Sequence, residues 1–299
     1  MNNDWINRYW QLIIDKNFEE AIPLKALNFP DTFFKYRRLT ETTIETLKEN
    51  YIWLAEISSL NDPFECSIQF DNDECLRKYY ASTPFRQSFK SMTGHTLTEK
   101  EIKLLTTSLK PHDEYIKICR SRDIPYSLSS DQQLNRVQQR WNKIVEQTSQ
   151  NLRVCSFSLN KNSLLLWSHY AEEHKGVCIE YDFVDVNVVR TFIQPVLYSE
   201  KVYKIGLFEE YTIMQLIASS LIKAKDWSYE QEWRLTIFKQ ANNFPHKISV
   251  PIPKAIYLGT RFNVNEEPLK MELYKIAQEK KIPLLQMTKH PNEFKLIEE

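Results

Sequence analysis

Tyr229-Glu230-Gln231-Glu232-Trp233-Arg234-Leu235-Thr236-Ile237-Phe238 is the stretch on which the fold turns. From Glu230 onward, charged or polar residues alternate with large apolar ones, the period-two signature of a half-buried strand. A strand from Glu230 to Phe238 puts Glu230, Glu232 and Arg234 on one face and Trp233, Leu235 and Ile237 on the other. Segments of similar texture lie upstream at Phe33 to Leu39, Tyr51 to Ala55, Arg153 to Ser158 and Val177 to Phe183, and downstream at Lys254 to Leu258 and Pro283 to Met287. Helical patterns separate them: residues 1–30, a helix opened by the capping box Thr42-x-x-Glu45, Ser163 to His174 stopped by Gly176, Phe208 to Lys225, and 265–280. This interspersion, without regular βαβ spacing, predicts a single α+β domain over 1–299 with a mixed or antiparallel central sheet and flanking helices. Residues 71–150 break the pattern. They carry 13 basic and 10 acidic residues in a Ser-, Thr-, Gln- and Lys-rich stretch with helical texture, which predicts a helical insertion rather than a nucleic-acid-binding arm.

Composition excludes several function classes. In 299 residues, 39 Lys+Arg cancel 39 Asp+Glu, so no overall field draws the chain to nucleic acid or an anionic membrane. Four glycines, at 94, 176, 206 and 259, cannot build a dinucleotide fingerprint, a phosphate-binding P-loop or a nucleophile elbow. No apolar run is long enough to span a bilayer, and the first ten residues carry no signal-peptide core. Five scattered cysteines without a C-x-x-C pair point to free thiols and a cytoplasmic location.

Three segments carry candidate chemistry. Glu230 and Glu232 on one strand face repel each other, so a fold keeps them together where they meet solvent, pair with cations or react. The ordinary alternative pairs Glu232 and Arg234 with each other and with Lys225 on an exposed face. Ser156 and Ser158 share a face of their strand and can hydrogen-bond a sugar or a carboxylate. In Lys35-Tyr36-Arg37-Arg38, a strand-borne arginine can grip a phosphate through two parallel hydrogen bonds. Asn61-Asp62-Pro63-Phe64-Glu65 has the grammar of a helix start, with Asp62 as N-cap and Pro63 in the first turn. His169 suits a proton carrier or an orienting residue in a cleft. Its spacing to Glu173, His174, Cys155 and Cys178 fits no familiar zinc pattern, so no metal is expected.

Taken together, the blocks Lys35-Tyr36-Arg37, Asn61-Asp62-Pro63-Phe64-Glu65, Cys155-Ser156-Phe157-Ser158, Leu166-Trp167-Ser168-His169-Tyr170-Ala171 with His174 and Gly176, and Trp227-Ser228-Tyr229-Glu230-Gln231-Glu232-Trp233-Arg234 resemble a widespread uncharacterised family of microbial proteins. Its genes often lie near mobile elements and antiviral-defence genes, and the likeness runs from about residue 33 to 260. The order arginine, Ser-x-Ser, Glu-x-Glu also resembles the arginine–serine–glutamate ADP-ribosyltransferases. That resemblance implies NAD as substrate, with Arg37 and its neighbour Tyr36 on the cofactor side. It gives Ser156, or Ser158 as second choice, the nicotinamide ribose, and Glu232 the oxocarbenium ion. Glu230 falls to the acceptor. It also requires Arg37, Ser156 and Glu232 to come from neighbouring strands and to point into one cleft.

The function so implied is an NAD-cleaving or ADP-ribosyltransferase-like effector, toxic in a defence setting, acting on an unidentified macromolecular acceptor and on no membrane. Two other classes fit the same residues. One is a hydrolase or nuclease in which Asp62, Glu65, His169, Glu230 and Glu232 converge, with or without a divalent ion. The other is a binding or sensor protein in which these blocks only build the core.

Overall fold

The computed structural model describes residues 4–65, 68–70, 72–125, 139, 142–143, 146, 150–205, 217–238, 246–263 and 267–299. The chain divides into two compact units. The first holds residues 1–65, 151–201 and 220–299, and the second holds 66–150 and 202–219.

The first unit is built on a nine-stranded sheet. In chain order its strands are β1 (Phe33–Arg37), β2 (Ala55–Glu56), β3 (Leu152–Ser158), β4 (Val177–Tyr181), β5 (Ile193–Pro195), β6 (Glu232–Phe238), β7 (Ala255–Leu258), β8 (Leu284–Lys289) and β9 (Leu296–Glu298). Across the sheet they run β9-β8-β7-β4-β1-β3-β6-β5, with β2 also pairing β3. Only β7 and β8 pair in parallel; the other pairs are antiparallel. The sheet is therefore mixed and mostly antiparallel, and the fold is α+β, as the alternation predicts.

Side-chain period two divides the core into two layers. Phe33, Phe157, Ile179, Trp233, Leu235 and Ile256 face one way, against the helices Glu41–Glu49 and Pro268–Lys280. Phe34, Tyr36, Cys178, Tyr257 and Met287 face the other way, under Leu166 and Trp167 of the helix Leu164–Tyr170. Ser163 caps that helix, its hydroxyl accepting the Leu166 N–H at 3.3 Å. The expected continuation to His174 does not form. The helix ends at Tyr170, and Glu172, Glu173 and His174 all take positive φ. Gly176 is needed there for space: a Cβ would lie 2.3 Å from the Arg37 carbonyl oxygen.

Three other expectations shift. The helix at 41–49 is capped by Thr40 rather than by Thr42. The 208–225 helical pattern gives way to a strand at Ile222–Ala224, and residues 206–216 lie outside the described residues. Pro63–Glu65 is a turn, not a helix start. In it the Asp62 carboxylate accepts the Phe64 N–H at 2.8 Å, the short-range bonding that suits aspartate to turns as well as to caps.

The second unit contains the described part of the expected insertion, together with residues 202–219. Four helices, Asn72–Ala81, Thr83–Thr93, Glu99–Thr107 and Pro111–Ser121, pack around Tyr80, Phe85, Phe89, Leu105 and Tyr115. A parallel strand pair joins 68–70 to 203–205. Most of the polar stretch at 132–150 lies outside the described residues.

Candidate functional site

Antiparallel register decides which side chains meet. Ser158 stands opposite both Phe34 on β1 and Glu232 on β6, and Ser156 stands opposite Arg234. Ser156, Ser158, Glu232 and Arg234 therefore share the sheet face of Phe34 and Tyr36. There they line a cavity of about 150 Å³ together with Asn61, Glu65, Tyr170, Lys223 and Glu230.

Its floor is a chain of buried ion pairs. Lys223 donates to Glu230 Oε2 at 2.6 Å and to Glu232 Oε2 at 3.1 Å. Arg234 Nε donates to Glu232 Oε1 at 2.7 Å, and its two terminal nitrogens take both oxygens of Glu65 at 2.6 and 2.9 Å. Tyr170 Oη donates to Glu230 Oε1 at 2.8 Å, and Tyr198 Oη accepts the Glu232 N–H at 2.8 Å. Three carboxylates thus face two cations. The common bond to Lys223 keeps the bonded Glu230 and Glu232 oxygens no more than about 6 Å apart, so both carboxyls can reach one reacting carbon.

Their environments push the two glutamates apart. Burial alone would raise Glu232, but Arg234 and Lys223 outweigh it and hold its pKa at about 2. Glu230 moves the other way, raised by burial and by the Glu232 charge against the pull of Lys223. One carboxylate fixed as the anion beside one that holds its proton more tightly is the division of labour that acid–base and glycosyl chemistry uses.

Glu230 reaches this position differently from the alternation reading. It is not on the strand. It ends the 3-10 turn Lys225–Glu230, and Gln231 at φ 45° redirects the chain before β6 begins at Glu232. The exposed-face alternative also fails in detail. Glu232 and Arg234 are buried, the lysine partner of Glu232 is Lys223, and exposed Lys225 pairs with Glu200 at 3.0 Å.

Arg37 does not join the cluster. It pairs in register with Val177, whose side chain belongs to the opposite core layer, and it shares that face with Phe33. The expectation that Arg37 points into one cleft with Ser156 and Glu232 is overturned, because Arg37 is an odd number of residues from Phe34 and Tyr36 on a regular strand. Tyr36 does line the cavity, its hydroxyl donating to the Asn160 carbonyl at 2.6 Å. The Ser158 hydroxyl donates to the Glu230 carbonyl at 2.6 Å and so serves the backbone, while Ser156 hydrogen-bonds the Glu232 carboxylate and lowers its pKa. His169 is exposed and outside the cavity lining, its Nδ1 3.2 Å from the Tyr229 hydroxyl. Asp62 is held in its turn, and Glu65 is committed to Arg234. Cys155 and Cys178 lie in opposite core layers. Among the described residues no group of three or more His, Cys, Asp or Glu is arranged to hold a metal ion.

Lys223 and Tyr198 are the residues that pattern reading missed. Lys223 was hidden in an apparent helix. Lys35 shares the Arg37 face of β1, and its ammonium donates to the Ser156 carbonyl at 2.7 Å where β1 and β3 share only one register pair.

Residues 166–235 match a domain family described as Protein of unknown function (DUF2971), in keeping with the expectation of an uncharacterised family. The matched segment contains Tyr170, Lys223, Glu230, Glu232 and Arg234 of the cavity. No curated protein and no solved structure matches the chain.

Proposed function

We propose that the chain is an enzyme of N-glycosidic chemistry, cleaving NAD or transferring its ADP-ribosyl group. The observation that carries this reading is the Glu230–Glu232 pair on Lys223, with one carboxylate fixed as the anion and the other pushed up. As the bond from C1′ to the nicotinamide nitrogen breaks, the bonding electrons leave with nicotinamide. The ribosyl cation that remains lies against the Glu232 carboxylate, which Arg234 and Ser156 hold in place. The acceptor attacks C1′, and its proton passes to Glu230. A cavity of about 150 Å³, below the roughly 300–1,000 Å³ of typical ligand pockets, takes the nicotinamide–ribose end and leaves the rest of a dinucleotide outside. Arg37 lies on the other sheet face, and Lys35, of the same strand parity, lies there too with its ammonium over the Phe157 ring, so the substrate's phosphates stay outside the cavity with the rest of the dinucleotide.

The test is nicotinamide release from NAD by wild type and Glu232→Gln, with folding followed by circular dichroism. Loss of a fixed transition-state charge lowers the rate by about a hundred- to a thousand-fold. One observation favours a second reading, that of a non-enzymatic protein: both Glu65 oxygens are spent on Arg234, as a purely structural brace requires. That reading predicts well-folded protein without NAD turnover.

A further inference from the structure

The first unit has a second and larger cavity, of about 550 Å³. One wall is the β8–β9 connection, closed by the His290 N–H to Lys295 carbonyl bond at 3.0 Å. The other is formed by His174 and by the Thr260–Arg261 turn after β7, tied together by the Arg261 N–H to His174 carbonyl bond at 2.9 Å.

The lining is strongly one-sided in charge. Arg261, Lys289 and Lys295 stand against the single carboxylate of Glu293. Lys295 pairs with Glu293 at 2.8 Å, whereas Arg261 and Lys289 have no carboxylate within ion-pair distance among the described residues. Lys254 and Lys247 on this unit, by contrast, pair with carboxylates, Lys254 with Asp182 and Lys247 with Glu45 and Glu49. His174 adds a buried Nδ1 with no hydrogen-bond partner, and burial, Arg261 and Lys289 together push its pKa down. Its backbone is held in the left-handed region at φ 70°, and the Gly259 position leaves no room to relax: a Cβ there would lie 2.1 Å from the His174 carbonyl oxygen. Strain kept by such close packing is typical of sites that bind. At the lip, the Phe294 ring is fully exposed, at 102%.

We infer that this cavity binds a nucleoside phosphate, with Arg261 and Lys289 on the phosphate and Phe294 stacking on the base. Two uncompensated cations match a phosphate that carries about 1.5–2 negative charges at neutral pH. The volume falls in the usual range for small-molecule pockets of roughly 300–1,000 Å³. An exposed ring at the rim is a stacking platform for any base. The site is separate from the Glu230–Glu232 cavity and does not depend on the reading of that cavity.

Isothermal titration of the full chain with ADP, adenosine and inorganic phosphate tests it. ADP binds; adenosine binds at least about tenfold more weakly, and Arg261→Ser and Lys289→Ser each weaken ADP by about tenfold, as expected for a lost charge-assisted hydrogen bond. Phe294→Ser weakens ADP and leaves inorganic phosphate unchanged. Both cations are exposed, so the variants fold. The inference is overturned if wild type binds neither ADP nor phosphate, if adenosine binds as well as ADP, or if the Arg261→Ser/Lys289→Ser double variant binds ADP like wild type. An ADP affinity unchanged in Phe294→Ser overturns the stacking.

Discussion

Arg234 and Glu65, 169 residues apart in the chain, meet through two parallel hydrogen bonds of 2.6 and 2.9 Å with both side chains buried. The pair ties the Asn61–Glu65 turn to the strand that carries Glu232, so the geometry of the glutamate cluster depends on a turn outside it. Charges taken out of water are kept only where each is answered, and removing one partner strands the other.

Glu65→Gln therefore destabilises the fold, but by less than the about 3–5 kcal/mol of a fully stranded buried charge, because Arg234 keeps Glu232 as its remaining carboxylate. Urea unfolding followed by tryptophan fluorescence measures this. A midpoint equal to wild type would mean that Arg234 is not braced by Glu65.

Asp62→Ala removes the acceptor of the Phe64 N–H. The expected loss is about 1 kcal/mol, the usual worth of such a side-chain-to-backbone bond. Thermal melts report it. Unchanged stability with lost activity would instead put Asp62 in the chemistry.

Gly176→Ala and Gly259→Ala each drive a Cβ into a backbone carbonyl, 2.3 Å from Arg37 and 2.1 Å from His174. Backbone cannot swing aside as a flexible side chain does, so each variant loses more than about 3 kcal/mol, at the damaging end of single substitutions. Gly94→Ala is a useful contrast. No atom lies within 4 Å of its Cβ, and its cost is only that of a positive φ, 72°.

The strands were legible because one sheet face carries an apolar layer while the other, although buried as well, carries the polar cluster of Glu232, Arg234 and Thr236. Trp233-x-Leu235-x-Ile237 and Cys155-x-Phe157 display the alternation plainly. The same rule, applied to Lys35-Tyr36-Arg37, could place Tyr36 and Arg37 on opposite faces but not say which face holds the glutamates. That needs the pairing Phe34–Ser158–Glu232, a long-range fact. Glu230 misled the alternation because Gln231 takes a left-handed conformation, which no Gly or Asn signals. Lys223 lay in an apparently helical run, since a three-residue strand at Ile222–Ala224 is too short to show a period.

The pH dependence separates the two glutamates. Glu232, at about 2, is ionised across the working range, so it contributes no limb to a pH–rate profile above acid pH. Glu230 lies above the ordinary glutamate value of about 4.3, raised by burial and by Glu232. As the base that accepts the acceptor's proton it must be ionised, so transfer rises with pH through that raised value and then levels. With methanol added as a model acceptor, the yield of methyl ADP-ribose follows this limb, while nicotinamide release changes little. Glu230→Gln removes the limb and lowers transfer more than release. Stability carries the opposite sign for the two groups. A raised Glu230 favours the folded state below its unfolded value, and that contribution is lost as pH rises through the folded one. The depressed Glu232 favours folding above about 4.3, and that contribution is lost as pH falls toward about 2. The melting temperature of wild type relative to Glu230→Gln thus declines from acid to neutral pH. A profile without a limb in wild type, or one retained in Glu230→Gln, would take the proton from Glu230 and assign it elsewhere in the cavity.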